Sequence, residues 1–125
     1  MKMERRDDFL HVILWIDDVR DPAKNLQNHY ANERVIWCKS VHEAIKAYTL
    51  WGNDLNDKDV RLVDIYIDHD AGDYTKDGGD FIKFLDWMEV HYPKDFTKLI
   101  WHLISMNPVG IQNMLAILRR NGVDC

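Results

Sequence analysis

Four short apolar runs, separated by stretches with helical spacing, constrain the fold of this chain more than any other feature. The runs cover residues 11–17, 34–38, 60–68 and 98–104. The first is almost continuously apolar and the second is of the same buried type, as expected for strands covered on both faces. Between them lie helical signals. Asp21-Pro22 is a helix start with Pro in its first turn, and residues 22–31 are expected to form a short helix. Ser40 and Glu43 fit a capping box ahead of the stripe Val41, Ala44, Ile45, Tyr48. Asp80 is expected to cap a helix buried through Phe81, Ile82, Leu85 and Met88, which Tyr92-Pro93 ends. Asn107-Pro108 opens a last helix with the stripe Ile111, Met114, Leu115, Leu118, stopped at Asn121-Gly122. Strands alternating with helices predict a doubly wound α/β domain with a parallel sheet.

The bulk numbers narrow the function classes. A chain of 125 residues makes one domain, read as an N-terminal extension over 1–10 and a single domain over 11–125. No apolar run nears the ~20 residues a bilayer requires, and the amino terminus lacks the apolar core of a secretory signal. Cys38 falls in a predicted strand and Cys125 is the last residue, so no structural disulfide is expected and a cytoplasmic location fits. A net charge of −5 argues against a duplex DNA surface, though a nucleotide in a pocket remains compatible. No zinc spacing, P-loop, nucleophile elbow or dinucleotide fingerprint is present. The five tryptophans are read as core residues.

In an open parallel sheet, ligands bind beyond the carboxyl ends of the strands, where strand order reverses. With order 2-1-3-4, that crevice lies between the first strand, ending at Asp17-Asp18, and the third, ending at Asp68-His69-Asp70. Carboxylates converging there repel one another unless protonated or bridged by a cation. Mg²⁺ is the expected ion, with Mn²⁺ as substitute, because it accepts one or two hard carboxylates and keeps sites for water and phosphate oxygen. Asp17, Asp18 and Asp68 are the candidate ligands, the alternative for Asp17-Asp18 being an ordinary turn cap. His69, flanked by two acids, is a candidate general acid or a surface loop residue. Ser105, Asn107 and Gly110 at the last helix start are phosphate candidates, and Arg20 a phosphate clamp. Helix capping by Asn107 and surface pairing of Arg20 with Asp17 or Asp21 are their alternatives. His102 is read as a residue supporting the site from behind.

These residues resemble the receiver domains of two-component signalling: Asp17-Asp18 after the first strand, Asp68 at the end of the third, a following Asp77-Gly78, and Ser105 after the fourth. The receiver Lys that follows a fifth strand has no counterpart, since only Val123-Asp124-Cys125 follow Gly122. A closer resemblance is carried by Asp17-Asp18-Val19-Arg20-Asp21-Pro22, Asp68-His69-Asp70 and Ser105-Met106-Asn107-Pro108-Val109-Gly110. Together these are similar to the cyclic-phosphate-processing receiver-like family. That resemblance implies a receiver- or flavodoxin-like three-layer sandwich and metal-dependent processing, by hydrolysis or phosphoryl transfer, of a cyclic or terminal phosphate on a nucleotide or RNA end. Asp68, His69 and Asp70 are then the catalytic candidates, Asp68 as nucleophile or as metal ligand. Two alternatives stand beside this reading: a degenerate receiver phosphorylated on Asp68, and a non-catalytic cyclic-nucleotide binder. Whether the chain is an enzyme, a phosphodiesterase- or phosphatase-like hydrolase, stays open at this point, as does its oligomeric state. The acidic loop 68–79 fails the calcium-loop template, with Gly72 and Gly79 at ligand positions, and is read as a flexible lid in which Tyr74 either stacks on a base or faces solvent.

Overall fold

The computed structural model describes residues 9–26, 32–52 and 60–125. Strands β1 (Leu10–Ile16), β2 (Glu33–Cys38), β3 (Val60–Ile67) and β4 (Ile100–Leu103) form one sheet in the order β2-β1-β3-β4. All three pairings are parallel, as the apolar runs and the intervening helices require. The helices are α1 (Pro22–Asn25), α2 (Val41–Trp51), α3 (Ile82–His91) and α4 (Pro108–Arg120). The expected doubly wound, receiver- or flavodoxin-like order 2-1-3-4 is the observed one.

One face of the sheet presents Val12, Leu14, Ile16, Ile65 and Ile67, which share a continuous core with Val41, Ala44 and Tyr48 of α2, Phe84, Leu85 and Met88 of α3, and Met114, Ile117 and Leu118 of α4. Right-handed crossovers explain the layering: the chain steps one way from β1 to β2 and the other way to β3 and β4, so α1 belongs to the opposite face from α2 and α3. On that opposite face His11, Ile13, Trp15 and Asp64 are buried. The reversal also opens the crevice between β1 and β3. A register shift between Val12 and Ile13 pairs Val12 with Leu62 but Ile13 with Asp64, which brings Trp15 opposite Tyr66.

Capping follows the sequence closely at two helices. Ser40 Oγ accepts the Glu43 N–H at 3.1 Å, and Glu43 reaches back to the Lys39 N–H. Asn107 Oδ1 accepts the Gly110 N–H at 3.0 Å with Pro108 in the first turn. Elsewhere the expectations need correction. The helix expected over 22–31 is closed at Leu26, whose extended backbone donates to Pro22 O; residues 27–31 lie outside the described residues. Asp80 does not cap α3 with its side chain. Its Oδ1 accepts the Ala71 N–H at 3.1 Å, so it ties down the preceding loop. The fourth strand starts later than expected because Pro93–Lys98 forms a 3₁₀ turn that buries Phe96 and receives the Tyr48 hydroxyl on Asp95. The loop read as a flexible lid folds as a 3₁₀ turn over Gly72–Asp77, with bonds from Gly79 N to Thr75 O and from Phe81 N to His69 O and with Tyr74 packed on the core edge. Cys38 is buried and Cys125 exposed, both as free thiols; burial pushes the Cys38 thiol up to about 12. Among the described residues no helix is long and apolar enough to cross a membrane.

Candidate functional site

Asp17 and Asp68 lie one residue beyond their strands yet still belong to the sheet. The Asp17 N–H donates to Cys38 O at 3.1 Å and the Asp68 N–H to Ile16 O at 2.9 Å. These bonds seat both carboxylates at one level of the β1–β3 crevice. Asp17 is fully buried, and its Oδ1 accepts the N–H groups of Val19 and Arg20 at 3.0 and 3.1 Å. A short acidic side chain bonding its own backbone two and three residues on curls the loop into a tight turn. The turn is also gripped from outside. Trp37 Nε1–H donates to Asp17 O and Trp15 Nε1–H to Arg20 O, both at 2.8 Å. Reading the tryptophans as core fillers missed this role; the available signal was that a buried indole N–H needs an acceptor.

Arg20 works inside the crevice. Its Nη1 donates to Asp17 Oδ2 at 3.1 Å and to Ile104 O at 2.8 Å, and lies 3.6 Å from Asp68 Oδ2. Of its two sequence readings, pairing with Asp17 is thus observed, in a position that also faces Asp68. Asp18 completes the group: it, Asp17 and Asp68 each offer one carboxylate oxygen, all within 4.8 Å of one another. Room for Asp18 depends on Gly72, where an added Cβ would fall 2.3 Å from Asp18 Oδ2 and where φ is +55°. Burial raises the Asp18 carboxyl above its ordinary range, and the neighbouring charges of Asp17 and Asp68 add to the rise against a backbone hydrogen bond that lowers it. Asp68 is raised too, by burial first and by Asp17, against the lowering influence of the His69 N–H, Ser105 and Arg20. Three acids with this donor chemistry, two of them reluctant to ionise, fit a small hard divalent cation.

The remaining candidates gather around the start of α4. Ser105 hydrogen-bonds Asp68 and, through Oγ, accepts the Asn107 N–H at 3.0 Å. The Gly110 and Ile111 N–H groups are bound by Asn107 Oδ1 and Asn107 O, and Pro108 has none, which leaves Val109 as the first-turn amide outside this internal set. The capping alternative for Asn107 is therefore realised. Gly110 also serves by its size, because a Cβ there would meet His69 Cγ at 2.4 Å. His69 is packed against the helix start with its side chain 14% exposed, and its Nδ1 lies 2.8 Å from Asp70 Oδ1. Asp80, which sequence reasoning placed only as a cap, forms a second group of ligand-type atoms with His69 and Asp70 within 4.8 Å. His102 has its own partners: its Nε2 lies 3.0 Å from Asp64 Oδ1 and its ring stacks on Tyr66.

No curated protein and no solved structure matches the chain. A family model described as the cyclic-phosphate processing receiver domain matches residues 12–120, which takes in most of β1, all of β2, β3 and β4, and the crevice residues Asp17, Asp18 and Asp68. The chain belongs to the cyclic-phosphate processing receiver domain family.

Proposed function

We propose that this protein is a hydrolase dependent on Mg²⁺, with Mn²⁺ as substitute, that acts on a cyclic or terminal phosphate of a nucleotide or RNA end. The observation that supports it most is the meeting of Asp17, Asp18 and Asp68 within 4.8 Å at the strand-order reversal, in a family described by cyclic-phosphate processing. Asp18 and Asp68 would hold the cation, with Asp17 placed to bind its coordinated water. When bound, the ion supplies charge neutralisation at phosphoryl oxygens and an acidified, oriented water.

The chain's own groups account for the rest of the reading. Arg20 offers a cation facing Asp68, and Ser105 with the Asn107–Gly110 turn lines the other wall for phosphate oxygens. Asp70 fixes one imidazole nitrogen of His69 at 2.8 Å, which leaves the second to protonate the oxygen released when a phosphate ring opens. Asp68 serves as a ligand or attacks phosphorus itself, and labelling with a small phosphodonor separates the two: an adduct lost in Asp68→Asn marks the covalent route. The function is tested with a panel of 2′,3′-cyclic, 3′,5′-cyclic and oligonucleotide cyclic phosphates, with Mg²⁺ or chelator. At least one member is expected to be converted with metal and spared with chelator. Conversion of none overturns the hydrolase, and tight binding with the ligand recovered intact would identify a non-catalytic binder instead.

A further inference from the structure

Trp15, Tyr66 and His102 occupy matching positions on three neighbouring strands, Trp15 opposite Tyr66 and Tyr66 opposite His102. Trp37 on β2 pairs with Trp15, so a row of rings crosses the whole sheet. In-register residues of a parallel sheet share a face, and this is the face turned away from the α2–α3–α4 core. The Tyr66 and His102 rings are stacked with centroids 4.0 Å apart and planes 8° from parallel, and the Trp15 ring follows at 5.0 Å and 31°. Trp15 is 2% exposed, whereas the His102 side chain is 34% exposed. The stack therefore runs outward from a buried indole to a partly open imidazole on β4, an end strand of the sheet. Asp64, on the same face of β3, holds the His102 ring in place through Nε2 at 3.0 Å.

The row has a fixed relation to the crevice. Trp15 stands two residues before Asp17, Tyr66 two before Asp68, and His102 two before Ile104, whose carbonyl receives Arg20 Nη1. Two residues along a strand return to the same face about 6.6 Å away. The open end of the stack, His102, thus lies one pleat back from Ile104 and one strand, about 4.8 Å, across from the strand that ends at Asp68, on the side where Ser105 follows β4.

We propose that the open end of the Trp15–Tyr66–His102 stack is a nucleobase subsite, in which the base of a nucleotide whose phosphate sits at the Asp17–Asp18–Asp68 crevice stacks on His102 and lengthens the row. The proposal rests on reading the crevice as a phosphate site. Stacking accepts every base, since each has a π face, so the subsite selects nucleotides over plain sugar phosphates without reading sequence. It also gives an acidic protein a hold on a nucleotide that needs no cluster of Lys and Arg.

The test compares a nucleoside 2′,3′-cyclic phosphate with the base-free methyl riboside 2′,3′-cyclic phosphate, using the Mg²⁺-loaded full chain and the variants His102→Ala and His102→Phe. The wild-type protein is expected to favour the nucleoside compound in kcat/KM. That preference should fall about tenfold in His102→Ala, the order one base–aromatic stack contributes, and should survive in His102→Phe, which keeps the ring but loses the Asp64 bond. No preference in the wild type, or an equal fall in both variants, overturns the subsite while leaving the phosphate reading intact. If neither compound is turned over, the subsite is decided independently of turnover, by NMR with adenosine alone. A ring-current shift of the His102 Cε1–H signal supports it, and an unmoved signal at saturating adenosine rejects it.

Discussion

Replacing Asp68 by Asn should make the metal-free protein more stable and at the same time abolish its response to Mg²⁺. The Asp68 carboxylate faces Asp17 and Asp18 at 4.8 Å or less and Arg20 at 3.6 Å. At an effective dielectric of about 20, each repulsion is worth about 3.5 kcal/mol or more and the attraction about 4.6 kcal/mol. Two repulsions outweigh one attraction, and burial acts in the same direction. Arg20 is about one-third exposed, so solvent reduces all of these figures, and a net gain of about 1 kcal/mol for Asp68→Asn is expected. Asn still accepts the His69 N–H, now at 2.7 Å, through its amide oxygen, which limits collateral damage. With Mg²⁺ at about one hundred times its dissociation constant, the wild type should gain about 2.7 kcal/mol. For a domain of this size that is a rise in Tm of roughly 10 °C. The order of stability therefore reverses between chelator and Mg²⁺. Differential scanning calorimetry in both conditions, on both proteins, reads this directly. Parallel Mg²⁺ shifts in the two proteins, or a metal-free variant less stable than wild type, would refute the electrostatic account.

The raised carboxyls carry a pH signature as well. Asp18 and Asp68 bind protons more tightly folded than unfolded, so their unfavourable contribution is complete above their folded values and disappears as pH falls toward the ordinary value of 3.8. In chelator, the urea midpoint should rise as pH is lowered from 7 toward 5, and an unchanged or falling midpoint counts against the site; Glu89, lowered from 4.5 to about 2 by Arg120 and Asn121, opposes this only at more acid pH. Gly72→Ala puts a Cβ on Asp18 Oδ2 and strains a left-handed backbone, so calorimetric Mg²⁺ affinity should drop about tenfold or more at a stability cost of about 1–2 kcal/mol. Gly110→Ala pushes on the His69 ring; steady-state kinetics should show turnover falling about a hundredfold on an ordinary leaving group and much less on an activated one. Tyr48→Phe leaves Asp95 without its buried hydroxyl donor and should cost about 1–2 kcal/mol in denaturant unfolding.

Much of this geometry is written locally in the chain, and that part is legible. Ser40 with Glu43 and Asn107 with Pro108 define helix starts from contacts three residues apart, which spacing alone reports. The reversal of strand order brings Asp17-Asp18 to Asp68 in any fold of this class, so those acids can be paired before any coordinates exist. Other features depend on register and backbone twist, to which pattern is blind. The shift at Val12/Ile13 decides that Trp15 faces Tyr66, and nothing in either strand announces it. Glycines in the acidic loop are legible only as mobility; that Gly72, Gly78 and Gly79 take φ values of +55°, +118° and +92° depends on the turn the surrounding loop makes. Asp80 likewise precedes a helix as a cap does, but a loop amide nine residues upstream takes its carboxylate.

The indole grip on the β1–α1 turn gives the crevice an optical reporter. Trp15 and Trp37 donate to the very carbonyls of Arg20 and Asp17 that set the turn, so a cation drawn toward Asp17 and Asp18 alters the field at two fluorophores without touching them. Trp51, Trp87 and Trp101 lie elsewhere, against the core, and supply a steady background. If the proposed cation binds there, emission from the unlabelled protein would follow its occupancy of the crevice in real time.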